Sequence, residues 1–298
     1  MIEPVAPGQF AAVRPQIEQI DAAATAADGF SSLGDAARRD LTRPDHRSVG
    51  YLAPVGAYGH GWPIRSELTD GRWEVAVTVA PAARTEGVRV AVLQALLARI
   101  AAAAGERIVW WAPGADNASD DDANEVGLTA DRELLRMEAP LPRPEGPAVP
   151  ADVTLRAFAP GSDDAAWLAL NNAAFRGHPE QGDWDSEMLV ARCAEPWFDP
   201  ALFVVAESRD GLVGFNWVRR HPGGEAEIYV IAVDRSRRGS GLGRDLALAG
   251  LDAAARTGSS RASLYCAADN DDAHRLYSRL GFAVTRIDRA YATEVGSR

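Results

Sequence analysis

The sequence contains no lysine, so arginine supplies all 31 of its Lys and Arg residues. Walker-type nucleoside-triphosphate loops require a lysine after their glycines, and this absence excludes that class of site. Cysteine is also scarce: Cys193 and Cys266 are too few for a disulfide framework and are typical of a reducing cytoplasm. No apolar run reaches the roughly 20 residues of a membrane span. Met1 to Pro4 lacks the start of a secretory signal, so we expect a cytoplasmic protein.

Negative charge dominates the chain, whose formal net charge is -11. This balance argues against a nucleic-acid partner, which normally requires a basic surface. The 298 residues are 47% hydrophobic and 24% charged, which is typical of a globular protein with room for two domains. Positive charge is concentrated locally at Arg235, Arg237, Arg238 and Arg244. We therefore expect an anionic small molecule to bind near these arginines.

Glycines at positions 239, 241 and 243 lie among these arginines. A strand-like run precedes them at 227–232, and an apolar helical pattern follows at 246–255. Glycine permits positive φ and close approach of an anion. The first amides of a helix point outward without an intrahelical acceptor, at the positive end of its dipole. The segment therefore predicts a pyrophosphate-binding loop, although its spacing is not the Gly-x-Gly-x-x-Gly of a dinucleotide site.

An internal repeat has a fixed offset of 154 residues, as in Val79 and Val233 (233 − 79 = 154). The other matched pairs are Arg84 and Arg238, Gly87 and Gly241, Gly127 and Gly281, and Arg132 and Arg286. Prolines interrupt the chain between the copies and predict an extended linker. We therefore predict an N-terminal domain at 1–139, a linker at 140–151 and a C-terminal catalytic domain at 152–298.

Both copies have an α+β pattern. In the C-terminal copy we predict helices at 163–174, after Gly243 and at 271–280, and strands at 202–208, 212–219, 225–233, 262–266 and from Phe282. In the N-terminal copy we predict helices at 13–27 and 88–103, and strands at 49–54, 73–79 and 107–111.

The N-terminal copy has diverged at the positions that would carry chemistry. At the repeat offset Glu86 replaces Ser240, Arg89 replaces Gly243, Trp73 replaces Glu227 and Ala123 replaces Tyr277. We expect Arg89 and Glu86 to occupy the space that a pyrophosphate needs. The N-terminal copy is therefore predicted to be a structural or substrate-shaping partner with a degenerate cofactor loop.

Two motifs, at 238–243 and 270–282, resemble the GNAT acetyltransferase superfamily. The second consists of Asn270, Ala273, Leu276, Tyr277, Leu280, Gly281 and Phe282. The resemblance implies two tandem domains of the GNAT type, each a mixed, mostly antiparallel sheet flanked by helices. It also implies acetyl-CoA as acetyl donor, with no metal.

Acetyl transfer to an amine needs a base, a group that polarises the thioester carbonyl, and an acid for the leaving thiolate. Glu227 is the candidate base, with Glu225 as a competitor and a solvated strand residue as the alternative. Strand alternation puts Tyr229 on the face of Glu227, where it lines the pocket or simply packs. Tyr277 is the candidate acid, or alternatively a packing residue.

The resemblance implies acetyl-CoA contacts from two stretches of the C-terminal copy and one of the N-terminal copy. They are Ile231, Ala232, Val233, Arg238, Gly239, Ser240, Gly241, Leu242, Gly243, Arg244, Asn270, Asp271, Asp272, Ala273, His274 and Arg275, with Val77, Thr78 and Val79 in the N-terminal copy. Asn270 is also a candidate for an ordinary helix N-cap.

Further segments, at 171–182, 214–219, 227–230 and 264–270, resemble the mycothiol synthase family of actinobacterial tandem acetyltransferases. That family acetylates the cysteinyl amine of cysteinyl-glucosaminyl-inositol to form mycothiol. The resemblance implies substrate contacts at Asp35, Glu180, Arg219, Glu227 and Tyr265. Arg219 stands where the family usually has lysine, which keeps the charge but alters the hydrogen-bond geometry.

Two alternatives remain open from the sequence. One is a tandem acetyltransferase for another small amine, such as an aminoglycoside or an amino acid, because the fold serves many acceptors. The other is a non-catalytic sensor that binds acetyl-CoA, although the presence of both Glu227 and Tyr277 favours an enzyme. We expect a small-molecule substrate, no nucleic-acid or membrane partner, and a monomer.

Overall fold

The computed structural model describes residues 2–64, 71–84, 87–103, 105–176 and 182–294. The chain divides into two compact units, the first formed by Met1–Leu134 with Arg286–Arg298 and the second by Leu135–Thr285. Within the described ranges, no helix is both long enough and apolar enough to cross a lipid bilayer.

Helices and strands are interspersed along the chain. The first half contains β1 (Glu3–Val5), α1 (Phe10–Asp28), α2 (Asp35–Thr42), β2 (Val49–Ala53), β3 (Ala57–Pro63), β4 (Arg72–Val79), α3 (Val88–Ala101), β5 (Arg107–Ala112), α4 (Asn117–Glu125) and β6 (Thr129–Pro140). The second half contains β7 (Thr154–Ala157), α5 (Asp164–Ala174), α6 (Ser186–Cys193), β8 (Phe203–Ser208), β9 (Gly211–Arg220), β10 (Ala226–Val233), α7 (Leu242–Arg256), β11 (Arg261–Ala267), α8 (Asp271–Arg279) and β12 (Ala283–Glu294).

Each unit is built on a mixed sheet. In the first unit the strand order is β1-β2-β3-β4-β5-β12, in which β4 and β5 are parallel and the other pairs antiparallel. In the second unit the order is β6-β11-β10-β9-β8-β7. Strands β10 and β11 are parallel, and each neighbouring pair from β7 to β10 is antiparallel. These sheets and their flanking helices confirm the predicted α+β fold class.

The repeat predicted from the sequence is also a repeat of structure. The bounds of β10 lie 154 residues after those of β4 (226 − 72 and 233 − 79), and the same shift relates α4 to α8 and β6 to β12. The two helix N-caps at this offset share one conformation, with φ 85° and ψ -6° at Gly87 and φ 88° and ψ -9° at Gly241. The left-handed backbone at both positions explains why glycine occupies them.

Helix α7 is held close to the sheet of the second unit by a buried asparagine and a glycine. Asn216 of β9 is fully buried, and its Nδ2 donates to the Leu246 carbonyl at 2.9 Å. A Cβ on Gly250 would lie 2.2 Å from Asn216 Nδ2 and 2.9 Å from Val218 Cγ2. This close seating fixes the helix whose first turn follows the glycine loop.

We predict that Gly250→Ala destabilises the protein, because the added methyl group overpacks this contact at a cost of about 1–3 kcal/mol. The measurement is the free energy of unfolding in urea. Gly146→Ala is the matched control in the same unit, since its Cβ would meet a single atom at an ordinary 3.8 Å. Equal stability of the two variants would contradict the proposed packing.

Candidate active site

Strand β10 pairs with its parallel neighbour β11 over its first residues. Ala226, Glu227 and Ile228 lie opposite Ala262, Ser263 and Leu264. A bulge between Ile228 and Val230 shifts the register of β10 against β9, and such bulges increase local strand twist. The pairing with β11 ends at Ile228, before residues 231–233. The backbone groups of these residues that face β11 are therefore not used by this pairing and are available to a ligand.

The N-terminal copy of this strand is regular. The register between β3 and β4 runs without a shift from the pair Ala57 and Val79 to the pair Pro63 and Trp73. Thr78 is fully buried, and its hydroxyl lies 3.3 Å from Asp21 Oδ1. The bulge therefore distinguishes the second unit from its repeat.

The bulge changes the face of Val230. Ile228 belongs to the core beneath α7, whereas Tyr229 and Val230 both pack on the other face, against the aromatic cluster of Phe203, Phe215 and Trp217 (the Trp217 cluster). The Tyr229 ring meets Trp197 edge-on at 5.3 Å and Trp217 at 5.7 Å. Of the two roles considered for Tyr229, packing is the one that these contacts describe.

Glu227 lies on this strand, opposite Arg219 of β9. Its Oε2 is 2.6 Å from His221 Nε2, and its side chain is 15% exposed against 31% for the imidazole. Glu227 is therefore partly enclosed and hydrogen-bonded to a histidine rather than fully solvated.

Glu225, the competing carboxylate, has a different environment. It accepts from Ser263 Oγ at 2.6 Å and Arg136 Nη2 at 2.7 Å, and Arg261 is nearby at 3.3 Å. Burial opposes ionisation, but the Ser263 hydrogen bond and the two arginines together lower the pKa of Glu225 below its usual value. Glu225 is thus held as a structural anion, which makes Glu227 the better candidate base.

A groove of about 870 Å³ is lined by residues 195–200, 202 and 219–222 of the second unit. His221 is part of its wall, and the Arg219 guanidinium lies 5.1 Å above the Trp197 ring. The groove beside the Glu227–His221 contact is thus lined by the aromatic rings of Trp197 and Phe198, the carboxylates of Glu195 and Asp199, and the guanidinium of Arg219. Such a mixture suits a polar ligand that also has apolar faces.

Tyr277 lies on α8 and is 6% exposed, with its ring edge-on to Phe282 at 5.9 Å. Burial, with a smaller contribution from Cys266, raises the pKa of Tyr277 well above its usual value. The hydroxyl therefore keeps its proton at neutral pH, as a general acid must. Ala123 occupies the corresponding buried position in the first unit.

The glycine loop precedes α7. Gly239 and Gly241 have φ of 78° and 88°, and a Cβ on either would meet nothing within 4 Å. The space above the loop is therefore open, and the first amides of α7 have no acceptor in their own helix. Asp234 closes the preceding turn by accepting from the Ser236 amide at 2.8 Å. An anionic pyrophosphate fits this open, amide-rich surface.

The arginines of the two loops differ in their partners. Arg84 binds Asp28 through two hydrogen bonds of 2.9 and 2.6 Å, and Arg89 binds Asp122 of α4. Arg238, the counterpart of Arg84, is exposed and makes no ion pair within the described part of the chain. In the C-terminal loop Arg237 is paired with Asp152, and Arg244 with Glu145 and Asp245, so the difference between the loops is the exposed Arg238. Arg89 is held against α4, and Glu86 lies outside the described residues.

The other residues predicted to contact the donor or the acceptor lie on different elements of the two units. Asn270 caps α8, because its Oδ1 accepts from the Ala273 amide at 3.1 Å, which confirms the N-cap interpretation. Tyr265 on β11 is 42% exposed. Asp35 begins α2 in the first unit, and Glu180 lies outside the described residues.

His221 and Trp197 were missed by the sequence analysis. His221 precedes Pro222 in the turn between two strands, where a histidine resembles any polar turn residue. Trp197 lies in a segment without helical or strand periodicity. The signal available for His221 was the length of the β9–β10 connection, since the register is regular from the pair Ala226 and Arg220 to the pair Ile228 and Val218.

The sequence is similar to those of known proteins. A model of the Acetyltransferase (GNAT) family matches residues 166–282. The mycothiol acetyltransferase of Streptomyces avermitilis is 39% identical over 97% of this chain and 93% of its own length. That of Kineococcus radiotolerans is 42% identical over 94% of this chain and 93% of its own length.

Two solved structures share the fold. A GCN5-related N-acetyltransferase from Sphaerobacter thermophilus has a TM-score of 0.76 and 22% identity, covering 100% of this chain and 96% of its own. A tandem GNAT protein from the clavulanic acid biosynthesis pathway has a TM-score of 0.74 and 17% identity, covering 100% and 99%. With the identities to the curated relatives along nearly all of its length, the chain belongs to the mycothiol acetyltransferase family.

Proposed function

We propose that the protein transfers acetyl from acetyl-CoA to the cysteinyl amine of cysteinyl-glucosaminyl-inositol, forming mycothiol. The observation that carries this proposal is the Glu227–His221 contact on the strand that leads into the glycine loop. Family membership supports the acceptor. The free thiols of Cys193 and Cys266 are consistent with a cytoplasmic enzyme, which we propose acts as a monomer.

The donor would be held mainly by backbone. The space above Gly239 and Gly241 is open, and the amides of this loop and of the first turn of α7 would bind the pyrophosphate there, with Arg238 adding charge. Ile231 to Val233 would pair with the amide-bearing arm of the donor, because their β11-side groups lie beyond the parallel register. The first turn of α8, at 270–275, would complete the site. In the N-terminal copy, Val77 to Val79 correspond to residues 231–233, and we propose that they are only a vestigial part of a donor site.

The acceptor would occupy the groove beside His221. Carboxylates accept hydrogen bonds from hydroxyls and ammonium groups, which suits Glu227 and, by family resemblance, Glu180 and Asp35. Arg219 and Tyr265 would contribute further polar contacts. The aromatic wall of the groove suits the apolar faces of sugar and inositol rings.

In the proposed reaction Glu227 removes a proton from the acceptor ammonium, directly or through a water. Acetyl-CoA supplies the electrophilic carbonyl carbon, at which the C–N bond forms and the C–S bond breaks. A backbone amide at 231–233 polarises the carbonyl oxygen. Tyr277 gives its proton to the departing thiolate and regains one from the amide nitrogen through water. The net balance is one proton released to solvent.

The acceptor is tested by thiol release from acetyl-CoA with cysteinyl-glucosaminyl-inositol, beside aminoglycosides and free amino acids. We predict that kcat/KM is at least about 100-fold higher for the conjugate, since a site built for hydrogen bonds rejects analogues that leave its groups unpaired. Equal turnover of an unrelated amine would contradict the acceptor. Binding of acetyl-CoA without transfer to any amine would identify a sensor.

We predict that Glu227→Gln and Tyr277→Phe each lower kcat by about 100-fold or more, because each removes one proton-transfer group. Steady-state kinetics at saturating donor and acceptor provide the measurement. Glu18→Gln and Tyr51→Phe in the first unit are controls for the same chemical changes. Normal kcat in either site variant would remove that residue from the mechanism.

The two glycine N-caps offer a matched pair for testing the donor site. Gly241→Ala and Gly87→Ala both place a side chain at positive φ, with a similar cost of about 1 kcal/mol in stability. We predict that Gly241→Ala raises the KM for acetyl-CoA by about 10-fold through misplaced amides, an effect of about 1.4 kcal/mol, whereas Gly87→Ala leaves it unchanged. An equal effect of both variants on KM would show that the C-terminal loop has no special role.

A further inference from the structure

His221 is a titratable side chain in hydrogen-bond contact with Glu227. The 2.6 Å separation between Nε2 and Oε2 is short for a nitrogen–oxygen pair, as expected when one partner is charged. An imidazole with its proton on Nε2 donates to the carboxylate. One carboxylate oxygen is then occupied, and Oε1 is left for another partner.

The backbone fixes His221 at this position. Its amide donates to the Glu225 carbonyl at 2.8 Å, and its carbonyl accepts from the Gly224 amide at 2.9 Å. Gly224 has φ of 80°, a conformation that favours glycine and closes the turn between β9 and β10. The imidazole is therefore presented to Glu227 by a hydrogen-bonded turn rather than by a free loop.

The imidazole and the carboxylate differ in exposure, and solvent reaches both side chains. His221 lines the groove and is 31% exposed, whereas Glu227 is 15% exposed. A carboxylate with few neighbours would rotate between several orientations, and misplacement by about 1 Å can cost about 100-fold in rate. A fixed donor on Oε2 removes that freedom.

The pairing with His221 is specific to Glu227. Two comparisons show this, one with the neighbouring Glu225 and one with the N-terminal copy. Glu225 is occupied by Ser263 and Arg136 instead. In the N-terminal copy the sequence has Glu67 and Trp73 at the positions of His221 and Glu227 (221 − 154 and 227 − 154). Neither member of the His221–Glu227 pair is thus found at its repeat position in the N-terminal copy.

We propose that His221 is a positioning residue for Glu227: its Nε2–H holds Oε2 so that Oε1 faces the acceptor ammonium. This rests on the proposed function. When the ammonium N–H bond breaks, an O–H bond forms at Oε1, and the Nε2–H of His221 stays on Oε2. Glu227 then gives its proton to solvent in the groove. Besides Glu227, the charged residues that line the groove together with His221 are Arg219 and Arg220 of β9, Glu195 and Asp199.

The test is a double-mutant cycle measured as kcat with the best acceptor amine. His221→Leu removes the donor and should lower kcat by about 10- to 100-fold with the KM for acetyl-CoA unchanged. His221→Gln keeps an N–H at the same reach and should retain most of the activity. In a Glu227→Gln background, His221→Leu should cost little more, because residues that act as a unit are not additive.

Thermal unfolding of each variant separates positioning from loss of folding, and His46→Gln, at a side chain that is 83% exposed, is the control. Additive losses in the cycle, or equal losses in His221→Leu and His221→Gln, would overturn the positioning role of His221 and leave the proposed function standing. Absence of turnover with every amine would overturn the proposed function and this role together.

Discussion

The early end of the β10–β11 pairing is the constraint on which the candidate site depends. Parallel strands that stayed paired to their ends would consume the backbone groups of residues 231–233. The bulge at Tyr229 prevents this, because two successive side chains turn to the Trp217 face and the strand twists away. One irregularity thus accompanies the opening in the sheet, adds Val230 to the face on which Tyr229 packs, and precedes the glycine loop.

The two copies of the fold differ in how their charges are used. In the first unit the loop arginines are neutralised by Asp28 and Asp122, and a regular strand replaces the bulged one. In the second unit Arg238 is exposed, and Glu227 is paired with an imidazole. The same backbone plan therefore supports one copy whose loop arginines are paired and another in which Arg238 and the space above Gly239 and Gly241 are open to a ligand.

Much of the fold could be predicted because the repeat offset and the hydrophobic periodicity both reflect backbone geometry. The positive φ of Gly241 and the helix from Asp271 are examples. Helix α6 could not be predicted, since Leu189 is its buried residue and the cap Asp185 fixes its start instead. The periodicity of α4 is equally weak, with Ser119 and Ala123 buried, and only its place in the repeat, 154 residues before α8, indicates it. The His221–Glu227 contact was out of reach, because it depends on the conformation of the turn that carries His221 between β9 and β10.

The central claim is that the opened sheet and glycine loop of the second unit hold the acetyl donor for chemistry at Glu227. A crystal structure with CoA bound tests it most directly. We predict the pyrophosphate within hydrogen-bond distance of the amides at 239–244, and the thiol beside residues 231–233 with Tyr277 nearest its sulfur. A turnover-competent complex with the pyrophosphate bound elsewhere and this loop empty would contradict the account.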